Sequence, residues 1–502
     1  MRGGKGLQTA CGIGLLALGA FLVFWPARRY AERRYTVEAG GCSLDLDVVR
    51  LKKPATPDSG SIVLLHGLAA NRIIMGYLAR SFAERGLTVF VPDMPGHGRA
   101  PGPFSAERAE SCSAALVRGL AARGMIQPER TVLAGHSMGG AIALRIAGKF
   151  RPAGVIAISP APMKAAHGVT PENLLFQGVP PVPDNTLILA GQFEPRGLVA
   201  NAEDLAAGST DGRVQFEGFP GNTHVSVLFS PAVARASQEW AASVLHLSGT
   251  APLASRAPLV ATALGVMGIL LLAGPFVREA VQGVAEGEQM PKRLPSRWRV
   301  LAEFAAVSGA VVVVLRWWQP LGLVHLYEGA YLASFFFLSG LALLAVHGKL
   351  AREQFLTKPG PLAGAAFAGV VLHLLVTGWV ELSASAAWMT VARWLRFPVF
   401  FMATFAFLYA LEILLGPAGI GKRLAFAYLV LAVVWSILMA GVFHFHSGQI
   451  LLVLLAPYFA LFFALSQLGV QLVRKRTGSA AAAAVFGAIL LAGFCLVLFP
   501  VS

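Results

Sequence analysis

From Ala257 onward the sequence is a near-continuous series of apolar runs, at about 257–276, 301–318, 327–347, 361–382, 397–415, 424–443, 449–472 and 479–500. Each is long enough to cross the ~30 Å hydrocarbon layer of a bilayer as a helix. Hydrocarbon offers amide groups no water, so runs of this kind form helices whose backbone bonds are internal. Another run, residues 9–25, follows Arg2 and Lys5. Phe24-Trp25-Pro26-Ala27 lacks the small-x-small pattern of a signal cleavage site, so a retained anchor is expected. Composition agrees: 56% of the 502 residues are apolar and only 13% charged, which is not the balance of a soluble chain.

The net charge of +15 is carried by Lys and Arg beside the apolar runs. That placement makes the lipid bilayer the expected partner and argues against nucleic acid. Alternate connections differ sharply in charge. One set holds Arg278, Lys292, Arg293, Arg297 and Arg299, then Lys349, Arg352 and Lys358, then Lys422 and Arg423, then Arg474, Lys475 and Arg476; the other holds only Arg316, Arg393 and Arg396. The positive-inside rule puts the first set in the cytoplasm and the polar region between the first two runs outside it. Arg28, Arg29, Arg33 and Arg34 disagree with that orientation. Four internal connections outweigh them, because a long domain translocates largely regardless of its flanking charge.

Three domains are therefore expected: an anchor at 1–34, a globular domain at 35–250, and a transmembrane domain of about eight helices at 251–502. In the globular part, strand-like runs at 61–65, 88–91, 131–134, 154–159, 186–190 and 213–217 alternate with helical stretches at 71–85, 105–123, 138–150, 198–207 and 230–245. Such alternation gives a mostly parallel sheet covered on both faces. Residues 35–39 and 44–51, joined through Gly40-Gly41, read as an antiparallel hairpin at one edge. Cys42 and Cys112 are the two cysteines outside the apolar runs; a bridge and two separate thiols both fit the sequence.

Chemistry concentrates at Leu133-Ala134-Gly135-His136-Ser137-Met138-Gly139-Gly140, where an apolar run breaks at a glycine and passes into a helical pattern. Gly135 and Gly139 bracket Ser137 as G-x-S-x-G, the pattern of a strained turn that presents a nucleophilic serine. Other motifs follow strands in order: His66-Gly67, Pro92-Asp93-Met94-Pro95-Gly96-His97-Gly98, Gly191-Gln192-Phe193-Glu194, and Gly221-Asn222-Thr223-His224. Over residues 35–247 this set resembles the α/β-hydrolase fold family, in which nucleophile, acid and histidine occur in that chain order.

The resemblance implies a doubly wound α/β-hydrolase sheet fused to an all-α membrane bundle. It casts Ser137 as nucleophile, His224 as general base and Glu194 as the carboxylate that orients the imidazole. It also implies an oxyanion hole made by the backbone N–H groups of Met138 and Leu68. Asp184, Glu203 and Asp204 are the alternative acids. His66, His97, His136 and His167 are the other histidines of the region; the first three lie in motifs the resemblance treats as loop-shaping, and Asp93 is expected to bond its own loop.

With no Gly-rich phosphate cradle, H-E-x-x-H or C-x-x-C, neither cofactor nor metal is implied. His444-Phe445-His446, at a span end on the face of the globular domain, reads as interfacial histidines. Glu381, Glu412 and Glu303 lie near span ends, where snorkelling accounts for them; His373, near mid-span, is left without an explanation. Residues 160–185, where this family inserts a lid, are too short for a helical cap. An open site beside a membrane favours an amphiphilic ester or thioester as substrate. The alternative is an acyltransferase or lipid-handling protein in which the domain serves transfer or binding.

Overall fold

The structure, a computed structural model, describes residues 2–53, 60–208, 213–281, 295–355, 359–416, 419–445 and 447–502. Lys292, Arg293, Lys358 and His446 lie outside the described residues, as do the side chains of Arg2 and Lys5. The chain divides into two compact units.

One unit holds the α/β-hydrolase fold, over Ala20–Thr262 together with Val380–Ala387 and Pro500–Ser502. Its strands are β1 (Tyr30–Ala39), β2 (Cys42–Leu51), β3 (Ser61–Leu65), β4 (Thr88–Pro92), β5 (Thr131–His136), β6 (Gly154–Ile158), β7 (Thr186–Gly191) and β8 (Val214–Phe219). They form one sheet in the order β1-β2-β4-β3-β5-β6-β7-β8. The edge pairs β1–β2 and β2–β4 are antiparallel and every other pair is parallel. Strands β3, β5, β6 and β7 are buried along their whole length, which is why they read as unbroken Val/Ile/Leu runs rather than alternating ones.

A helix α1 (Arg2–Ala27) precedes the sheet, and α2 (Gly76–Glu84), α3 (Ala106–Ala122), α4 (Met138–Phe150), α5 (Arg196–Ala207) and α6 (Pro231–Val244) connect or follow its strands. The helix expected from residue 71 begins at Gly76, because the Asn71 carboxamide takes the amides of Ile73 and Ile74 and folds that stretch as turns. Cys42 and Cys112 form a disulfide that ties the start of β2 to α3. Val501 pairs with the loop after β4, its amide donating to the Gly96 carbonyl at 3.0 Å and its carbonyl accepting from the Phe104 amide at 2.6 Å.

The second unit is helical and includes Ala263–Trp379 and Trp388–Phe499. Its helices are α7 (Ala257–Ala280), α8 (Arg297–Val314), α9 (Gly329–Val346), α10 (Gly348–Phe355), α11 (Pro359–Ser383), α12 (Val391–Leu414), α13 (Ile420–His444), α14 (Ile450–Leu454), α15 (Ala456–Thr477) and α16 (Ala480–Leu498). Among the described residues, eight helices of the whole chain are long and apolar enough to cross a membrane, α1 and seven of these. The exception among the long ones is α8, whose first turns carry Arg297, Arg299 and Glu303. The expected span at 449–472 is divided into α14 and α15 beside Pro457, which has no amide hydrogen to continue a helix.

Two of the acidic residues expected to snorkel, Glu412 and Glu303, are paired within this unit. Glu412 is buried and holds Arg423 at 2.8 Å and the Gln471 amide at 2.7 Å, a closed polar cluster joining α12, α13 and α15. Glu303 takes Arg299 and His347, each at 2.8 Å. His373 is buried against Gly493, where a Cβ would lie 2.3 Å from its ring.

Candidate active site

Strand β5 runs to His136 and α4 starts at Met138, so Ser137 alone makes the reversal, with φ 52° and ψ −116°. That strained backbone is possible because its neighbours are glycines. A Cβ on Gly135 would lie 2.3 Å from the backbone of Gly139, and one on Gly139 would lie 2.3 Å from the Leu65 carbonyl. The Ser137 amide donates to Ile158 O at 2.9 Å, fixing the turn to β6.

The Ser137 hydroxyl faces His224 Nε2 at 2.9 Å, and His224 Nδ1 faces Glu194 Oε2 at 2.6 Å. All three side chains are buried to within a few per cent. Glu194 Oε1 accepts from the Ser159 hydroxyl at 2.5 Å and from the Gly191 amide at 2.6 Å. Burial alone would push this carboxyl up. The donors from His224, Ser159 and Gly191 outweigh it and hold the group below its ordinary value, so Glu194 is ionised at neutral pH.

The other acids named from the sequence stand elsewhere: Asp184 pairs with Arg213, and Asp204 with His167, both in exposed pairs. Among the histidines, His66 is fully buried, with Nδ1 on Gly67 O at 2.8 Å and Nε2 accepting the Met94 amide at 2.9 Å. His97 packs its ring on His66 and Phe104. His136 Nε2 lies 2.7 Å from the backbone carbonyl of His224, and burial, reinforced by the neighbouring His224, brings its pKa down to about 3. Asp93 accepts the amide of Arg99 in its own loop at 3.0 Å, and also the amide of Arg72 at 2.8 Å and its guanidinium.

Opposite Ser137, the loop after β3 turns at Gly67, whose carbonyl accepts from Ala70 N at 3.1 Å, with Ala69 at φ 58°. The amides of Leu68 and Met138 have no protein acceptor among the described residues. Residues 160–185 contain one short 3-10 turn, Pro171–Asn173, and no α-helix. Three contributors had no signal strong enough to single them out: Ser159, Arg72, which is fully buried between Asp93 and Asp47, and Asn71. A lone serine at the end of a buried strand is the only trace Ser159 leaves in the sequence.

A doubly wound sheet with a glycine-bracketed serine between strand and helix defines an α/β-hydrolase fold. Residues 56–252 match the family model described as serine aminopeptidase, S33. Uncharacterized proteins of Mycobacterium bovis and Mycobacterium tuberculosis are each 33% identical over 91 residues, 18% of this chain and 25% of the relative. The chain thus spans about a quarter of the length of the curated relatives it matches.

Among solved structures, TT1662 from Thermus thermophilus is 24% identical, covers 43% of this chain and 100% of its own, and superposes with a TM-score of 0.33. XC6422 from Xanthomonas campestris, described as a serine hydrolase without lid, is 18% identical over 44% of this chain and 96% of its own, with a TM-score of 0.35. A thermostable esterase from Pseudomonas putida is 18% identical over 46% and 89%, with a TM-score of 0.36.

Proposed function

We propose that this chain is a multi-pass membrane serine hydrolase that cleaves a carboxylic ester or thioester of an amphiphile through an acyl-Ser137 intermediate. The observation that carries the proposal is the continuous Ser137–His224–Glu194 relay, with contacts of 2.9 and 2.6 Å. His224 Nε2 takes the Ser137 proton as Oγ attacks the carbonyl carbon, and Glu194 offsets the imidazolium charge. The carbonyl oxygen becomes an oxyanion facing the free amides of Leu68 and Met138. Collapse expels the alcohol or thiol, which receives the proton from His224. Water, deprotonated by the same imidazole, then releases the acid and restores Ser137.

The uncapped stretch at 160–185 supports a bulky, chain-bearing substrate. The charge asymmetry of the connections supports an extracytoplasmic hydrolase unit. The Cys42–Cys112 disulfide supports the same side, since such bonds persist in oxidising compartments. Two of the four opposing arginines lose weight because Arg29 pairs with Glu84 at 2.8 Å and Arg34 with Asp47 at 3.2 Å, which gives them a structural reason to be there.

The test is labelling of intact spheroplasts with a membrane-impermeant fluorophosphonate, with Ser137→Ala as control. Labelling of wild type alone is expected. Labelling only after lysis would reverse the orientation, and none in either state would overturn the hydrolase chemistry. Purified protein that turned over short soluble esters but no membrane lipid would exclude the amphiphile, and labelled acyl donor appearing on a second lipid would favour transfer over hydrolysis.

A further inference from the structure

We propose that the segment Val380–Ala387 is a working part of the active site: through Asn71 it positions the loop that directs the Leu68 amide at the oxyanion. The inference rests on the proposed hydrolase chemistry. The segment belongs to the same compact unit as the sheet, although Ser385 lies 314 residues beyond Asn71 in the chain.

The loop needs external support. Its turn is closed by Ala70 N on Gly67 O at 3.1 Å, and it holds Ala69 at φ 58°, a left-handed conformation that disfavours any side chain. Asn71, three residues past Leu68 and 4% exposed, is where the loop is fastened. Its Oδ1 accepts from Ile73 N at 3.1 Å, Ile74 N at 3.4 Å and Ala386 N at 2.9 Å, while Nδ2 donates to Ser385 Oγ at 2.8 Å. Two of those four bonds come from 380–387. That segment is itself braced, since Glu381 accepts Ala387 N at 2.6 Å and Arg99 Nη2 at 2.7 Å. Arg99 and Arg72 both give their backbone amides to Asp93, which links the loop after β4 to the chain immediately after Asn71.

A loop that merely covered the sheet would meet it through side-chain surface. Here a backbone amide and a hydroxyl go to one buried carboxamide beside the oxyanion donor. Asn71 and Ser385 are therefore positioning residues, and a fragment ending near residue 250 would lack half of the clamp.

The experiment uses the full chain in detergent, with a p-nitrophenyl ester as substrate and a trifluoromethyl ketone as inhibitor. The ketone adds Ser137 to form a hemiketal oxyanion that uses the same amides. Asn71→Ala is expected to lower kcat by about a hundredfold, the lower end of the 10²–10³ range for losing one oxyanion donor, and Ser385→Ala, which removes one bond of the clamp, about tenfold. KM should stay within about twofold, inhibitor affinity should fall in step with kcat, and Ser385→Thr, which keeps a hydroxyl, should restore both. Wild-type kcat and inhibitor affinity in Ser385→Ala and Asn71→Ala, with only a lower melting temperature, would overturn the assignment while leaving the hydrolase intact. Should Asn71→Ala fail to fold, Ser385→Ala and its threonine counterpart decide alone. Absence of Ser137-dependent turnover in the wild type would overturn both proposals.

Discussion

Replacing Glu194 by glutamine changes one oxygen into an amide and leaves the shape intact, so its consequence follows from the hydrogen bonds. In the native site Oε1 takes Ser159 and Gly191, and Oε2 takes His224. A glutamine oxygen left on Gly191 and Ser159 keeps both bonds but turns its NH₂ toward His224 Nδ1. The imidazole then carries its proton on Nε2, facing Ser137, and is no longer a base. The opposite orientation sets the NH₂ against the Gly191 amide, a donor that cannot rotate, at a separation of 2.6 Å, so the first orientation wins. The wrong tautomer in a serine triad lowers kcat by about 10⁴, which is about 5 kcal/mol in barrier. Ester hydrolysis by the whole 502-residue chain in detergent should show that fall with KM little changed. Asp184→Asn and Asp204→Asn, which alter exposed pairs, should stay near wild type. A Glu194→Gln enzyme within tenfold of wild type, or an equal loss in Asp204→Asn, would refute the role given to Glu194.

Gly139→Ala would set a methyl carbon 2.3 Å from the Leu65 carbonyl, where backbone has to move; overpacking of this kind costs about 3 kcal/mol or more, and both melting temperature and fluorophosphonate labelling should fall. Reducing the Cys42–Cys112 bond frees a loop spanning 70 residues and should remove about 4 kcal/mol of stability, read as a lower thermal midpoint that Cys42→Ser reproduces without reductant. Ser159→Ala withdraws one of the donors that hold the Glu194 carboxyl down, so the titration of that carboxyl, read from its ¹³C NMR shift in glutamate-labelled protein, should move to higher pH.

Strands were easy to find in this sequence because β3, β5, β6 and β7 are buried on both faces, which forces apolar runs that end at the motif residues. The hairpin was equally plain, since Gly40 and Gly41 both have positive φ. Apolar pattern failed at 71–75, where one carboxamide competes with helical bonding, and at residue 455, beside Pro457. The pairing of Glu412 with Arg423 was invisible for another reason: a single sequence shows that two charges lie at helix ends but not that three helices bring them together. Arg72 and Ser159 were missed for that same reason, their partners being set by the packing of loops from different strands.

Histidine count could not distinguish the bases either, but hydrogen bonding does. His66 has both ring nitrogens engaged by backbone, donating to Gly67 O and accepting from Met94 N, so adding a proton would break the second bond. His136 donates from Nε2 to the carbonyl of His224, and its Nδ1 is buried with no hydrogen-bond partner among the described residues, so a second proton there would have no acceptor. Only His224, within this group, faces a carboxylate on one nitrogen and a hydroxyl on the other, the arrangement that general-base transfer needs. Burial lowers the folded-state pKa of both His66 and His136, the latter from 6.5 to about 3. Between those values the unfolded chain binds more protons than the folded one. Their contribution to stability is complete above pH ~6.5 and is lost as pH falls toward 3. The melting temperature should therefore drop steeply below pH 6, and His136→Gln, which can still donate to the His224 carbonyl but cannot ionise, should flatten that slope. An unchanged slope in the variant would show that His136 is not held neutral by its burial.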